Sequence, residues 1–256
     1  MKFDLSNLTF SNYDKKINIR IPNVLDDKLA YLLGIQVGDG FLKKIVRKGK
    51  IDYLISYDGH KINEFEWYTF TIKPLIKKLF NKNVKVRKTT TGTVKIYFRS
   101  KAVFTFLNKY CGITQSPKHK ITIPFIVFNS NKKIKRAFLR GLADTDFSLM
   151  FKKRKEKAFY PVIDFNTNNE ILQKSTKRLL EELGFKVHSG HRIKPRRNKM
   201  HDSYYIQISG RTHLIKWMKE VGFGSSNHMT RYLVWLKLGY LPANTNIIGR
   251  HELLEK

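Results

Sequence analysis

The feature that most constrains the fold of this chain is an internal repeat. The segment LAYLLGIQVGDG, which contains Gly34 and Asp39, resembles RAFLRGLADTDF, which contains Gly141 and Asp146. Weaker similarity follows each segment, in the same order, over about a hundred residues. Because chance rarely preserves order over such a length, we predict two copies of one structural unit.

Each copy has the pattern of a helix, two strands, a helix, two strands and a helix. Apolar and charged or polar residues alternate over residues 84–87, 94–99 and 204–209. A period of two is typical of strands that place one face on a core and the other in contact with water or a partner. These segments therefore predict sheets that are covered on one side only.

Residues 62–80 and 169–183 have the spacing of amphipathic helices, which we expect to cover the core face of each sheet. Pro74 lies within the first of them and should kink or restart it. The predicted fold class is α+β, with two antiparallel sheets that together form a saddle. The predicted boundaries are an N-terminal arm at 1–24, a first repeat at 25–125 and a second repeat at 126–256.

Small residues recur on the first helix of each copy. Gly34 and Gly38 are four residues apart, and Gly141 and Thr145 have the same spacing. Small residues at this spacing lie on one helix face and let two helices approach closely. We therefore predict that the two helices pack against each other on a pseudo-twofold axis, with the matched aspartates side by side at their C-terminal ends.

That position is electrostatically unfavourable for two carboxylates, because a helix C-terminus is negative and like charges repel. A divalent cation would relieve the repulsion, and oxygen ligands suit Mg²⁺. Asp39-Gly40 by itself is also a common hairpin turn signal, and small residues at this spacing are usually only packing positions. Turn chemistry does not require an aspartate after the second helix as well, so the repetition favours a functional site.

The charge of the chain indicates a polyanionic partner. Lys and Arg number 50 against 20 Asp and Glu, a formal net charge of +30. Nucleic acid or an anionic membrane could attract it, and the even spread of charge along the chain favours nucleic acid. The start of the chain has no secretory pattern, so we expect an intracellular protein.

Two other classes of site are disfavoured by the sequence. The single cysteine, Cys111, excludes a disulfide framework and a four-thiolate metal site. His188 and His191 have the spacing of a metal pair, but on a strand residues three apart face opposite ways. We interpret the two histidines as phosphate contacts or loop residues rather than as zinc ligands.

Cationic residues fall in matching places in the two copies, which predicts a continuous DNA-binding groove rather than a merely solvated surface. Five of the residues are candidates for reading base edges, because a two-stranded ribbon fits the major groove: Lys95, Tyr97, Arg99, Tyr205 and Gln207. The full predicted set is Lys43, Lys44, Arg47, Lys48, Lys50, Lys85, Arg87, Lys95, Tyr97, Arg99, Lys152, Lys153, Arg154, Arg192, Lys194, Arg196, Arg197, Tyr205 and Gln207.

The two signature segments resemble those of a known family. LLGIQVGDG at residues 32–40 and LRGLADTDF at 139–147 are similar to the signature helices of LAGLIDADG homing endonucleases of the single-chain, two-motif type. The resemblance covers nearly the whole chain from about residue 25. It implies a monomer without an obligate protein partner that straddles double-stranded DNA in the major groove and cleaves both strands of a long target site.

The resemblance also implies a metal site. The last acidic position of each motif, Asp39 and Asp146, would bind Mg²⁺ and contact the scissile phosphates of opposite strands. Two or three divalent ions would be shared between the two aspartates, with Mn²⁺ as a substitute and with Gly38 and Thr145 as neighbouring ligands. Hydrolysis needs an activated water and neutralised charge, which such ions supply.

Further catalytic positions follow from the resemblance. A polar residue at the end of the strand before each long helix would contact the water network, and this position falls on Asp58 and Asn166. A lysine after the last helix of a repeat would stabilise charge. Lys118 or Lys120 matches in the first copy, whereas the second copy has Asn227 and His228.

The two motifs are not identical. Phe147 stands where the family usually has glycine, and Val37 occupies the sixth motif position of the first copy. Neither change removes a metal ligand, but together they predict an asymmetric site with unequal strand cleavage.

Two alternative functions stay open at this stage. One is an RNA-binding intron maturase on the same fold, whose partner would be its own intron RNA. The other is a DNA-binding protein without catalysis, although retention of both aspartates argues against it.

Overall fold

The computed structural model describes residues 1–117, 121–154, 158–196 and 199–256. The N-terminal arm and first repeat contain α1 (Asn12–Lys16), α2 (Asp27–Val37), β1 (Gly40–Arg47), β2 (Lys50–His60), α3 (Phe65–Trp67), α4 (Lys73–Phe80), β3 (Arg87–Lys88), β4 (Thr93–Arg99) and α5 (Lys101–Thr105). The short helix α6 (Phe125–Phe128) spans the predicted boundary between the repeats. Two π-helical turns, Tyr68–Ile72 and Phe106–Tyr110, continue α3 and α5.

The second repeat contains α7 (Lys132–Asp146), β5 (Phe147–Arg154), β6 (Ala158–Thr167), α8 (Glu170–Glu182), β7 (His188–Arg196), β8 (Lys199–Ser209), α9 (Arg211–Glu220), α10 (Ser226–Leu238) and α11 (Ile247–Glu255). The two four-stranded sheets have matching orders, β1-β2-β4-β3 and β5-β6-β8-β7, and all their pairings are antiparallel. The predicted α+β class with two matching units is confirmed.

The starts of the two central helices are set by local sequence. The Asp26 carboxylate caps α2 by accepting a hydrogen bond from the Leu29 amide at 2.8 Å. The Asn131 side chain caps α7 in the same way, accepting from the Ile134 amide at 3.1 Å. Both residues are types that favour this position because their oxygens satisfy an amide that has no partner inside the helix.

The helix predicted at 62–80 is interrupted. It begins at Phe65, passes through a π-helical turn and restarts at α4, with Pro74 in its first turn. Proline has no N–H to donate, so the wider turn before it accommodates the missing hydrogen bond.

The strand predicted over 84–87 is almost absent. Strand β3 consists of Arg87–Lys88, which pairs with β4, whereas the matching β7 spans nine residues. Val84 is buried and Val86 packs against the core, so this segment follows the core surface before it reaches the sheet edge.

Both ends of the chain pack on the body. The Asp14 carboxylate in α1 is fully buried and accepts hydrogen bonds from the Ser100 hydroxyl at 2.6 Å and the Ala102 amide at 3.2 Å. At the other end, the Ile247 amide of α11 donates to the Asn63 side chain at 3.1 Å, which links the last helix to the first repeat. In the described parts of the chain, no helix has the length and apolarity needed to cross a membrane.

Candidate functional site

The two central helices, α2 and α7, cross with their backbones in contact. A Cβ atom on Gly34 would lie 2.6 Å from the Leu142 amide nitrogen, and one on Gly141 would overlap the Tyr31 carbonyl oxygen. Real Cβ atoms do not approach backbone this closely, and the backbone of a packed helix cannot shift to make room. The close approach predicted from the small residues is therefore present at this crossing.

The same crossing brings the two signature helix ends together. A Cβ on Gly38 would lie 2.8 Å from the Thr145 Cβ and 3.3 Å from the Asp146 Cγ. Asp146 is the last residue of α7, and Asp39 follows Gly38, which caps the end of α2. Both aspartates are partly exposed. The Asp146 carboxyl thus lies against the backbone that precedes Asp39, where solvent can reach both acids.

A recess of about 290 Å³ opens beside Asp146. Its polar lining consists of side chains that present oxygen atoms, and two of them, Thr167 and Asn168, had not been singled out by sequence analysis. Thr167 is the last residue of β6 and Asn168 follows it, and the internal repeat alone does not place their side chains. The recess is lined by Val37, Gly38, Ile121, Asp146, Thr167, Asn168, Asn169 and Leu172.

The donor set fits a hard cation that is shared with a substrate. Among the described residues, no group of three or more His, Cys, Asp or Glu side chains is arranged to hold a metal ion. Two carboxylates with neighbouring amide and carbonyl oxygens match the way in which Mg²⁺ is held jointly by protein and phosphate. The Thr145 hydroxyl donates its proton to the Leu142 carbonyl at 2.9 Å.

The two polar positions at the strand ends have different partners. The Asp58 carboxylate forms an ion pair of 3.2 Å with Lys95, the residue opposite it on β4. The Asn166 amide instead donates to the Asp164 carboxylate, and Tyr205 is the residue opposite. At this position the first repeat therefore has an acid paired with a lysine, whereas the second repeat has an amide that donates to an acid.

Asp164 is a site residue that sequence analysis missed. Its side chain is 8% exposed and accepts a hydrogen bond of 2.7 Å from the Gln207 amide. Strand pairing places Asp164 opposite Gln207, on the side of the sheet away from the core. The sequence feature that could have identified Asp164 is its position as a polar residue between two apolar ones, Ile163 and Phe165. The interaction also fixes Gln207, one of the predicted base readers.

A second missed acid, Asp144, ties the repeats together. It is fully buried and accepts hydrogen bonds from the Tyr31 hydroxyl at 2.6 Å and from the amides of Gly224 and Ser225 at 2.9 and 3.0 Å. Burial raises the pKa of Asp144 to about 7, against the lowering effect of these donors. The Trp67 indole N–H donates to the Tyr31 hydroxyl at 2.9 Å. This chain of bonds crosses from α7 to α2 and on to α3.

The second repeat has no cation at the predicted basic position. His228 is buried, and its Nε2 donates to the Phe147 carbonyl at 2.9 Å. Burial lowers the pKa of His228 to about 4, so the ring is neutral near pH 7. The Asn227 side-chain oxygen accepts a hydrogen bond from the guanidinium of the buried Arg250. In the first repeat, Lys118 and Lys120 lie outside the described residues.

Strand alternation and register sort the predicted DNA-binding residues of the first sheet. We call the side away from the helices the groove face. Lys44 pairs with Tyr53 and lies on the same side of β1 as Leu42, which is the core side. Strand alternation therefore places it away from the groove face and the other predicted DNA contacts. Lys85 lies outside the strands, and Lys48 is in the β1–β2 turn. The groove face carries Lys43, Arg47, Lys50, Arg87, Lys95, Tyr97 and Arg99.

The groove face of the second sheet is similar. Lys153 follows Lys152 directly along β5, so its strand position is on the opposite side of the sheet, and it is not part of the groove face. Arg197 lies outside the described residues, and the strand positions of Arg154, Lys194 and Arg196 are on the groove side of the register. The remaining members of the groove face are Lys152, Arg192, Tyr205 and Gln207.

Each groove face has an arginine over a tyrosine. The Arg87 guanidinium lies 5.0 Å from the Tyr97 ring centre, and that of Arg192 lies 4.1 Å from the Tyr205 ring centre. Such stacking holds a cation in place beside a flat aromatic surface. By contrast, His188 bonds the Tyr205 hydroxyl while His191 bonds Asp202, so the two histidines are apart, as the strand spacing predicts.

Comparison with known proteins agrees with this geometry. Residues 133–222 match the LAGLIDADG-like domain family. A structure of mesophilic variants of the homing endonuclease I-DmoI matches with a TM-score of 0.56 and 19% identity, covering 77% of this chain and 91% of that one. I-DmoI in complex with DNA and Mn matches with a TM-score of 0.54 and 20% identity, covering 78% of this chain and 98% of that one. No curated protein sequence matches the chain.

The resemblance read from the two motifs is thereby confirmed. The helix that ends at Asp146 lies inside the matched family domain, and the I-DmoI structures share the arrangement over most of the chain. Residues 133–222 of the second repeat thus match the LAGLIDADG-like domain family, and more than three quarters of the chain shares the fold of the homing endonuclease I-DmoI.

Proposed function

We propose that this protein is a site-specific endonuclease that cleaves both strands of double-stranded DNA with a divalent metal ion. The observation that carries the proposal is the meeting of the two signature helix ends, where the Asp146 carboxyl lies against Gly38 and hence beside Asp39. Two acids at negative helix ends repel each other, so electrostatics in the protein alone does not favour this arrangement. One acid from each repeat suits a reaction that takes place twice, once on each strand.

Cleavage of a phosphodiester adds the oxygen of a water molecule to phosphorus while one P–O bond to the sugar breaks, and the leaving oxygen takes up a proton. A bound divalent ion would supply activation of the water and neutralisation of the developing charge. Asp39 and Asp146 would hold such an ion, and Thr167 and Asn168 offer further oxygen atoms at the recess beside Asp146. I-DmoI structures contain DNA with Mn or with Ca, which supports a divalent ion.

The groove faces would bind the duplex. Seven of the predicted residues of each sheet lie on these faces by register, and most are cationic. Lysine and arginine contacts to phosphate set affinity and register, whereas base edges are read by a few side chains in the major groove. Tyr97 and Tyr205, each with an arginine stacked on its ring, are candidates for base contact.

The test is selection of cleaved sequences from a randomised duplex library with Mg²⁺, followed by assays on the selected site. We expect the wild type to cut both strands, and we expect Asp39→Asn and Asp146→Asn each to lose at least one of the two cuts. Asp27→Asn is a matched control, because Asp27 is a partly exposed acid at the opposite end of α2 and its only described ion pair is a 3.9 Å contact with Lys133.

The outcomes separate the alternatives. Duplex binding without cleavage by the wild type would contradict the proposal and favour a DNA-binding protein without catalysis. Binding of the encoding intron RNA that survives high salt, with no duplex cleavage, would favour the maturase. Cleavage that both Asp→Asn variants retain at the wild-type rate would show that the acids are not the catalytic groups.

A further inference from the structure

An acid lies on the DNA-facing side of the second sheet. Strand pairing aligns Ser148, Asp164 and Gln207 in one row across β5, β6 and β8. The row begins two residues after Asp146, at the end of the sheet nearest the meeting of the two central helices. A carboxylate on a face that binds phosphate weakens that binding, so the position of Asp164 calls for another role.

Asp164 fixes the orientation of two neighbouring side-chain amides. Its Oδ1 accepts a hydrogen bond of 2.7 Å from the Gln207 Nε2, and its Oδ2 accepts one from the Asn166 Nδ2. The nitrogen and oxygen of a side-chain amide exchange places on a half-turn, but an ionised carboxylate can only accept. The nitrogen of Gln207 therefore faces Asp164, because a turned amide would set oxygen against oxygen.

Gln207 keeps a donor and an acceptor for a partner in the groove. The bond to Asp164 uses one N–H, and within the described part of the chain it is the only hydrogen bond of this side chain. The second N–H and the Oε1 atom remain, side by side in the amide plane. Adenine presents the matching pair in the major groove, the N7 acceptor and the N6 amino donor, and glutamine binds the two together.

Asp164 itself is the poorer candidate for base contact. Its side chain is almost fully buried, and both of its oxygens already accept from amides. The matching row of the first sheet consists of Phe41, Ser56 and Tyr97, which include neither an acid nor an amide. An amide oriented by an acid in this row is therefore a property of the second sheet.

We propose that Gln207 reads an adenine in the half of the target site that the second sheet covers, and that Asp164 is a positioning residue that holds the Gln207 amide for it. The inference rests on the proposed function, of which it needs only that the groove faces bind duplex DNA. It predicts an A·T pair at one inner position of that half-site, near the cleaved phosphates. At the equivalent position of the other half, the first sheet presents Tyr97 instead.

Two variants test the two roles. Gln207→Ala removes the reader, whereas Asp164→Asn keeps the shape of the side chain but substitutes an amide that satisfies Gln207 in either orientation. Asp202→Asn is the matched control, because it removes one negative charge from the same strand, β8. Asp202 is an odd number of residues from Gln207 and so lies on the other side of the sheet, where it bonds His191 at 2.6 Å.

The readout is the base preference of duplexes bound from a randomised library, with EDTA present so that binding is measured without metal-dependent cleavage. We expect the wild type to prefer A·T at one inner position by about five- to a hundredfold in Kd over the other base pairs. Gln207→Ala and Asp164→Asn should both lose most of that preference at this position and keep the wild-type preferences elsewhere. Asp202→Asn should keep all of them. A structural role of Asp164 would instead change the affinity for all sequences alike.

The inference would be overturned if the two variants relaxed the preference at no common base pair, if the lost preference were for a base other than adenine, or if Asp202→Asn lost it equally. Binding by the wild type without any sequence preference would also overturn it. Binding with the expected preference but no cleavage under Mg²⁺ would refute the proposed function and leave this inference standing, whereas absence of duplex binding would overturn both.

Discussion

The buried acid Asp144 should make the stability of this protein fall as the pH rises. Its folded pKa of about 7 lies well above the ordinary value of 3.8. Below pH 3.8 both states are protonated; between 3.8 and 7 the unfolded chain releases this proton while the folded chain keeps it. The gap between the two values corresponds to about 4 kcal/mol of unfolding free energy, present at low pH and lost by neutral pH.

The variant Asp144→Asn isolates this effect, because an amide of the same shape does not titrate. Its oxygen can still accept from the Gly224 and Ser225 amides, and its N–H₂ can donate to the Tyr31 hydroxyl. Urea unfolding from pH 4 to pH 8 should show the variant gaining about 4 kcal/mol relative to the wild type as pH rises. The difference between the two proteins removes the contributions of the other titrating groups.

Asp14→Asn is the control with the opposite sign. Burial raises the pKa of Asp14, but hydrogen bonds from Ser100, Ser11 and the Ala102 amide outweigh it and leave the pKa lowered. The charged form therefore stabilises the fold, and the stability lost in Asp14→Asn should shrink as pH falls through the folded pKa. Parallel pH profiles for wild type and Asp144→Asn would refute the reasoning about Asp144.

Other expectations follow from the helix crossing and the groove faces. Gly141→Ala should destabilise the fold by about 1–3 kcal/mol or more in urea unfolding, whereas Gly249→Ala, where a Cβ meets nothing closer than 3.8 Å in α11, should stabilise it by about 0.5–1 kcal/mol; equal effects would contradict the backbone contact. Duplex affinity should fall steeply with salt, and Lys43→Met should reduce the slope of log K against log salt by about one. Lys219→Met, on helix α9 away from the groove faces, should leave that slope unchanged, and a flat slope for the wild type would contradict a DNA groove.

The helix crossing could be predicted from the sequence because it depends on small residues at a fixed spacing. Gly34 and Gly141 each face the partner helix, and the repeat itself predicts that partner. The alternation in β4 likewise places Lys95 and Tyr97 on the groove face, since the side-chain period of a strand is two. These features need only local geometry and one symmetry relation.

Other parts of the site depend on contacts that local patterns do not specify. Asp144 looks like an unremarkable motif residue until Tyr31 and the start of α10 are brought against it. His228 matches a basic position in the alignment, yet burial leaves it neutral. In each case tertiary packing, not propensity, sets the chemistry.

The central claim is that Asp39 and Asp146 form one site that holds a divalent ion against DNA phosphate. Anomalous diffraction from crystals grown with Mn²⁺ and the selected duplex tests this claim most directly. We expect an anomalous peak at the ends of α2 and α7, within about 2.0–2.3 Å of an oxygen of each aspartate. A clear map with no peak there, or with manganese bound only elsewhere on the protein, would contradict the account.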